Sequence, residues 1–337
     1  MAHYLITGAS GYIGSMLVKR LLKENPGTRI TAVVRDLDKA RRVLPGGVTF
    51  ARADICDWAA LEAAARAVDE TAPFEEASTV QTSSRRSFDY VIHCAAVTSS
   101  AEMAAHPVEV GRGIVVGTQN VLELARHANA RSVVYLSSME VYGSLDCPAG
   151  ELAVEEDVSK GEVDILNARS CYPLGKRMAE NVCFSNYKEY GLPVKIARLA
   201  QTFGHGVPAG DNRVFSQFTR AIKEGRDVVL HTDGRSMGNY CAIEDAVAGI
   251  LTILERGADG EAYNVVNESC TMSIREMANL VCARFSAGKS HVIFDIPEEN
   301  VHGYAASTGL RLSSEKLREL GWRPTKGLGE MYADLLE

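Results

Sequence analysis

The chain has no excess of basic charge, no apolar run approaching a membrane span and no paired-cysteine motif. Its 36 Lys and Arg are outnumbered by 43 Asp and Glu, for a net charge of −7. That balance lacks the basic footprint of a nucleic-acid-binding protein, so an anionic ligand would need its own local donors. A membrane-crossing helix takes ~20 consecutive apolar residues; no stretch approaches this, and no membrane partner is expected. The eight cysteines, at 56, 94, 147, 171, 183, 241, 270 and 282, are scattered and contain no C-x-x-C. Their spacing argues against a metal site and fits reduced thiols in a cytoplasmic protein. His3-Tyr4-Leu5-Ile6 enters the fold at once, leaving no room for a signal peptide. There is no internal repeat.

What is present is ordinary for a globular protein: 46% hydrophobic and 23% charged residues. A length of 337 residues suits a large α/β unit with an attached lobe. The apolar run His3–Thr7 leads into Gly8-Ala9-Ser10-Gly11-Tyr12-Ile13-Gly14, after which Ile13, Met16, Leu17 and Leu21 recur at helical spacing. Strand, glycine turn and helix together make a dinucleotide-binding turn. Gly8 permits the tight turn, Gly11 lets the backbone approach a pyrophosphate and Gly14 lets helix pack on strand. Tyr12 and Ile13 open the helix whose amides would meet the phosphates.

A second strand, Arg29–Val34, should end at the adenosine ribose. It is followed by Arg35 and Asp36, with Lys39, Arg41 and Arg42 close behind. A guanidinium suits a 2′-phosphate and favours NADP; Asp36 could serve NAD, and a solvated charge cluster is the alternative. Val48–Ala51 is a third strand leading to Asp54 and Ile55, placed for the adenine edge. Asp69–Ser87 loses periodicity and reads as a surface insertion without assigned function. The run Tyr90–Ala96 is a buried strand ending in the small residues Cys94, Ala95 and Ala96, over which a cofactor could lie, with His93 as a core histidine. Ser132–Leu136 is a fifth strand, ending in Ser137-Ser138-Met139-Glu140, hydroxyls and a carboxylate at a strand's carboxyl end. Val194–Leu199 is a sixth strand, with Leu199 at its cofactor end. Six alternations of strand and helix predict an α/β, Rossmann-type doubly wound parallel sheet over residues 1–203. Residues 204–337 read as a smaller mixed α/β C-terminal lobe for substrate.

Tyr172 and Lys176, four apart, share one face of a helix. An ammonium beside a phenol favours phenolate, which suits proton exchange with an alcohol near neutral pH. Taken alone, the pair also fits a surface tyrosine beside a solvated lysine.

The ordered set Thr7-Gly8-x-x-Gly11-x-x-Gly14, Ser137-Ser138-x-x-Val141-Tyr142-Gly143 and Tyr172-x-x-x-Lys176 resembles the extended short-chain dehydrogenase/reductase family, in its NAD-dependent epimerase/dehydratase branch acting on nucleotide sugars. The resemblance implies that Tyr172 is the acid/base on a sugar 4-hydroxyl, that Ser138 bonds the same oxygen and that Lys176 holds the nicotinamide ribose. It implies a bound 4-keto sugar, which opens epimerisation, dehydration or decarboxylation, and a homodimer built from two helices of each subunit. Family dehydratases carry Asp-Glu after the serine; Met139-Glu140 keeps only the glutamate as a catalytic candidate. The segment Ala168–Glu180 most resembles UDP-glucuronate decarboxylases. On the substrate side, Gln201 replaces a family asparagine, Ile114 replaces another, and Gly238 stands where decarboxylases have an arginine. Arg213, Arg235 and Tyr240 are candidate donors to a diphosphate, or surface residues. The expectation is an enzyme that oxidises a nucleotide sugar at C4 with NADP or NAD and then epimerises it. The alternatives are dehydration or decarboxylation through Glu140, an NADPH-dependent carbonyl reductase, and a catalytically silent cofactor-binding regulator.

Overall fold

The computed structural model describes residues 1–68, 87–145, 154–157, 160–297 and 308–337. Most of the expected insertion, residues 69–86, therefore lies outside the described residues. The chain divides into two compact units. The first comprises Met1–Gly143, Val163–Arg198 and Val247–Tyr263, and the second Ser144–Glu162, Leu199–Ala246 and Asn264–Glu337. The two units thus interleave along the chain.

The strands in chain order are β1 (His3–Thr7), β2 (Arg29–Val34), β3 (Val48–Arg52), β4 (Tyr90–His93), β5 (Ser132–Ser138), β6 (Val194–Leu199), β7 (Gln201–Phe203), β8 (Val228–Leu230), β9 (Met237–Gly238), β10 (Tyr240–Ala242), β11 (Ala262–Val265), β12 (Met272–Ser273) and β13 (Val292–Phe294). The helices are α1 (Tyr12–Glu24), α2 (Leu37–Val43), α3 (Trp58–Ala67), α4 (Ser100–Ala105), α5 (Pro107–His127), α6 (Cys171–Tyr190), α7 (Val214–Lys223), α8 (Ile243–Arg256), α9 (Ile274–Phe285), α10 (Glu315–Glu319) and α11 (Leu328–Leu336).

A seven-stranded parallel sheet in the order β11-β6-β5-β4-β1-β2-β3 forms the frame, as the Rossmann-type reading predicts. All five residues of β1 are buried, as in a strand covered on both faces. From β1 the chain winds outward through β2 and β3, then returns to β4 and winds the other way. The switch point thus lies between β1 and β4, where open α/β sheets leave a crevice at the strands' carboxyl ends. The register pairs Thr7 with His93, so the Gly8 turn and Cys94 emerge side by side.

The structure also differs from the sequence reading in detail. β4 ends at His93 rather than Ala96, because Cys94, Ala95 and Ala96 leave the ladder at the switch point. β5 runs on through Ser137 and Ser138. Ala262–Val265, read as part of the smaller lobe, is the seventh strand of the main sheet, on the edge beside β6.

The second unit holds the pairs β10–β7, β12–β9 and β13–β8. Its core is aromatic and aliphatic: Phe203 stacks on Phe215 at 4.2 Å, and Tyr332 meets Phe203 edge-on at 5.3 Å.

Candidate active site

The glycine turn is tight enough to exclude any larger residue at two of its positions. Gly8 has φ +66°, and a Cβ there would stand 2.7 Å from the Ala95 nitrogen. A Cβ at Gly14 would lie 2.4 Å from the Gly8 carbonyl oxygen and 2.8 Å from Ala9 Cα, both backbone atoms that cannot yield. α1 starts after Gly11 with no side-chain cap and no acid in its first turn, so no carboxylate of that turn competes for its positive end. That cradle fits a cofactor pyrophosphate on the amides of Tyr12 and Ile13.

Arg35 is exposed at the end of β2, while the Asp36 carboxylate caps α2 by accepting from the Lys39 amide at 2.9 Å. Asp54 is likewise turned to its own backbone, accepting from the Cys56 amide at 2.9 Å. Ile55 is held by Asn120, whose Nδ2 donates to its carbonyl at 2.8 Å.

Beneath the switch point runs a directed hydrogen-bond chain. Thr118 Oγ1 donates to the Ile114 carbonyl, so it accepts from His93 Nε2 at 3.1 Å. Nε2 therefore carries the ring proton, and His93 Nδ1 accepts from the Thr7 hydroxyl at 2.6 Å. The Thr7 oxygen accepts from the Ala95 amide at 3.3 Å. Burial, with the Lys176 charge adding, lowers the His93 pKa to about 3, so the imidazole stays neutral at physiological pH. This is the core histidine expected of that position, and it ties β1, β4 and α5 together.

Tyr172 and Lys176 lie on α6 and are 6% and 3% exposed, so the pair is not the solvated one that spacing alone allowed. Lys176 Nζ donates to the Leu136 carbonyl of β5 at 2.6 Å and sits 4.6 Å above the Tyr135 ring and 5.8 Å from the Tyr172 ring centroid. Burial lowers its pKa from 10.5 to about 8, with Glu180 opposing the shift.

α6 is bound to β5 and the 3₁₀ turn after it, Met139–Tyr142, by more than this contact. Glu180, one turn beyond Lys176, accepts from the Ser137 hydroxyl at 2.6 Å. Its carboxylate also accepts from Arg198 of β6, at 2.7 Å from Nη2, and Arg198 Nη1 donates to the Tyr142 hydroxyl at 3.0 Å. Burial works against the Arg198 charge, but the bonds to Glu180 outweigh it and raise its pKa. Arg177 Nε reaches the Val141 carbonyl at 2.8 Å. These bonds fasten the tyrosine helix to the serine-bearing strand end.

They also separate the two serines. Ser137 is committed to Glu180, whereas Ser138 caps the turn by accepting from the Glu140 amide at 3.2 Å. Glu140 does not stand alone: Arg169 meets both of its carboxylate oxygens, at 2.9 and 3.0 Å. Glu180, Arg198 and Arg169 carry this architecture, yet the motifs assign them no role. Glu180 could have been found at i+4 from Lys176 on one helix face. The Arg169 contact joins residues 29 apart and has no local signature.

The substrate-side candidates lie in the second unit. Gln201 is half-buried on β7, with its amide donating to the Asn239 carbonyl at 2.9 Å. Arg213 is bound to the Asp211 carboxylate at 2.6 Å and lies over the Phe215 ring. Arg235 is exposed beside Asp233 at 3.3 Å. Leu199 is buried at the end of β6. A Cβ at Gly238 would stand 2.2 Å from the Tyr240 hydroxyl, so that phenol fills the space a side chain would need. At Ile114 the apolar substitution is likewise structural: the residue is buried and in van der Waals reach of a Cβ at Gly175, where α5 and α6 meet. Among the described residues no cluster of potential metal ligands occurs, and no helix is long and apolar enough to cross a membrane.

The chain is similar to several enzymes of known name. UDP-glucuronic acid decarboxylase 1 of Danio rerio is 26% identical over 97% of this chain and 70% of that protein. dTDP-glucose 4,6-dehydratase of Streptomyces griseus is 28% identical over 98% of this chain and 92% of its own length. Among solved structures, UDP-glucose 4-epimerase of Thermotoga maritima with UDP-glucose aligns over 99% of this chain and 97% of that one, with TM-score 0.81 and 21% identity. The Thermus thermophilus UDP-glucose 4-epimerase complex with NAD aligns over the same shares, with TM-score 0.76 and 25% identity. Residues 4–266 match the NAD dependent epimerase/dehydratase family, and with the glycine cradle, the Ser138 turn and the buried Tyr172–Lys176 pair in place, the chain belongs to that family.

Proposed function

We propose that this protein is a nucleotide-sugar 4-epimerase, which oxidises its sugar at C4 and reduces the resulting ketone from the opposite face. The observation that carries the reading is the buried Tyr172–Lys176 pair fastened to the Ser138 strand end through Leu136, Ser137 and Val141. A bound nicotinamide dinucleotide would supply the two-electron oxidation and its reversal. Tyr172 would take the proton from the 4-hydroxyl and return it, and Ser138 would orient that oxygen. Lys176 would stabilise the phenolate and hold the cofactor ribose.

Epimerisation needs no proton transfer beyond this oxygen. Dehydration needs an acid for the leaving hydroxyl; Met139 offers none, and Glu140 is already paired with Arg169. Decarboxylation, the activity in the names of several relatives, would call for a donor to the sugar carboxylate, and Gly238 has no room for one.

A second reading, net reduction of a carbonyl with NADPH, is supported by Arg35, which stands exposed while Asp36 serves as a helix cap. One experiment separates these. Purified protein is given UDP- and dTDP-hexoses with NAD or NADP and, separately, a 4-keto nucleotide sugar with NADPH, and cofactor redox state is followed with product mass. Epimerisation leaves mass and net cofactor unchanged, dehydration removes water, decarboxylation removes carbon dioxide, and a reductase consumes cofactor. Tyr172→Phe is expected to lose about 10²- to 10⁴-fold in turnover. Full activity in that variant would overturn the mechanism.

A further inference from the structure

Glu140, two residues after Ser138, and Arg169, three before Tyr172, meet in a geometry unlike that of a poised acid or base. Both carboxylate oxygens accept from the same guanidinium, Oε2 from Nη1 at 2.9 Å and Oε1 from Nη2 at 3.0 Å. An ionised carboxylate in such a fork has no proton to give, and acting as a base would require breaking charge-assisted bonds. The pair is also partly solvated, with side chains 39% and 32% exposed. Ion pairs of that exposure add little to global stability, so what this one contributes is the geometry it fixes.

That geometry is specific. The Glu140 amide donates to Ser138 Oγ, so moving residue 140 moves the hydroxyl. Arg169 belongs to a short 3₁₀ turn, Ala168–Ser170, capped by Asn167 and running directly into α6 three residues before Tyr172. On the other side of Tyr172, Arg177 holds the next carbonyl of the serine turn, that of Val141. The serine turn is therefore held at 140 and 141 by two arginines that bracket Tyr172 in sequence.

We propose that Arg169 is a positioning residue, and that its fork on Glu140 makes that carboxylate a strut setting Ser138 against Tyr172 rather than a proton-transfer group. This rests on the functional reading above, and it removes Glu140 as the acid for an elimination.

The test is a double-mutant cycle of Glu140→Ala, Arg169→Ala and the pair, with Arg169→Lys as the conservative variant. Each single change removes the same strut, so kcat should fall by a similar factor, about ten- to a hundredfold. KM should stay close to wild type, the double variant should be no slower than either single, and Arg169→Lys should recover part of the loss. The pH–rate profile should keep both limbs. A much larger loss in Glu140→Ala than in Arg169→Ala, or disappearance of one limb, would overturn the proposal. Should the alanine variants fail to fold, Glu140→Gln and Arg169→Lys complete the cycle.

Amide hydrogen exchange separates this from the functional reading, because it needs no substrate. Either single variant should speed exchange in both 138–142 and 168–172. Unchanged exchange in the segment opposite the mutation would overturn the strut even if the enzyme proves to be an epimerase. Coupled exchange in a protein that turns over no nucleotide sugar would overturn the function and leave the strut standing.

Discussion

The role proposed for Lys176 requires a charge in a place that disfavours one. Burial lowers its pKa to about 8, so the ammonium beside Tyr172 titrates in a range where enzymes are assayed. Below about 8 it is protonated and can support the phenolate; above, that support is lost, so activity should fall on an alkaline limb centred near this value. The stability effect has the opposite sign. Between about 8 and the ordinary 10.5 the unfolded chain holds the proton and the folded one does not, so stability rises with pH across that window. Below it, the cost of the buried charge is present in full. Buried thiols such as Cys94 and Cys183, whose pKa values burial raises, act in the opposite direction over the same range, so the difference between wild type and Lys176→Met isolates the lysine. In denaturant melts of cofactor-free protein that difference should move in favour of the wild type as pH rises across the window, and a difference that does not change with pH would contradict the assignment.

At the scale of elements, α6 and β5 are joined by the network of Glu180, Arg198, Ser137 and Tyr142. Removing one partner of a buried ion pair leaves an uncompensated charge, and Arg198→Met or Glu180→Ala should each cost about 3–5 kcal/mol. A double variant with apolar replacements should recover much of that stability. It should not recover turnover if the network's work is to hold Ser138 and Tyr172 in register. Chemical denaturation and steady-state kinetics on the same three proteins would decide this.

Much of this arrangement could be read from sequence because its signals are local. The glycines fall within seven residues of one another, and Tyr172 and Lys176 share a face by spacing alone. Glu140 was legible as a carboxylate at a strand end, but not its pairing, since Arg169 arrives from another segment. The place of the seventh strand was missed for a related reason: Ala262–Val266 reads as a short strand of the smaller lobe, and only its neighbour β6 shows which sheet it joins. At Gly238 the sequence showed an absence, and the structure shows what excludes a side chain, the phenol of Tyr240.

At the scale of the whole molecule, α5 and α6 carry exposed apolar residues that their own sheet does not cover. Val116 is 37% exposed on α5, and Met178 and Phe184 are 49% and 44% exposed on α6. Apolar residues spread along two helices suit a second copy of this chain, the homodimer that the resemblance implied. Sedimentation should give twice the chain mass, and Met178→Asp with Phe184→Asp should give the monomer. A wild-type monomer at micromolar concentration would refute that assembly.

The path of the chain also constrains how the protein can be made. β6 ends at Leu199, but the strand that covers its outer edge begins only at Ala262, after β7 to β10 and α8 have been laid down. Until the ribosome has delivered residue 265, the nascent sheet presents β6 as a bare edge of unpaired amides and carbonyls. Fragments that stop near residue 203 should therefore aggregate rather than fold, and the first unit should become protease-resistant only once synthesis has passed the seventh strand.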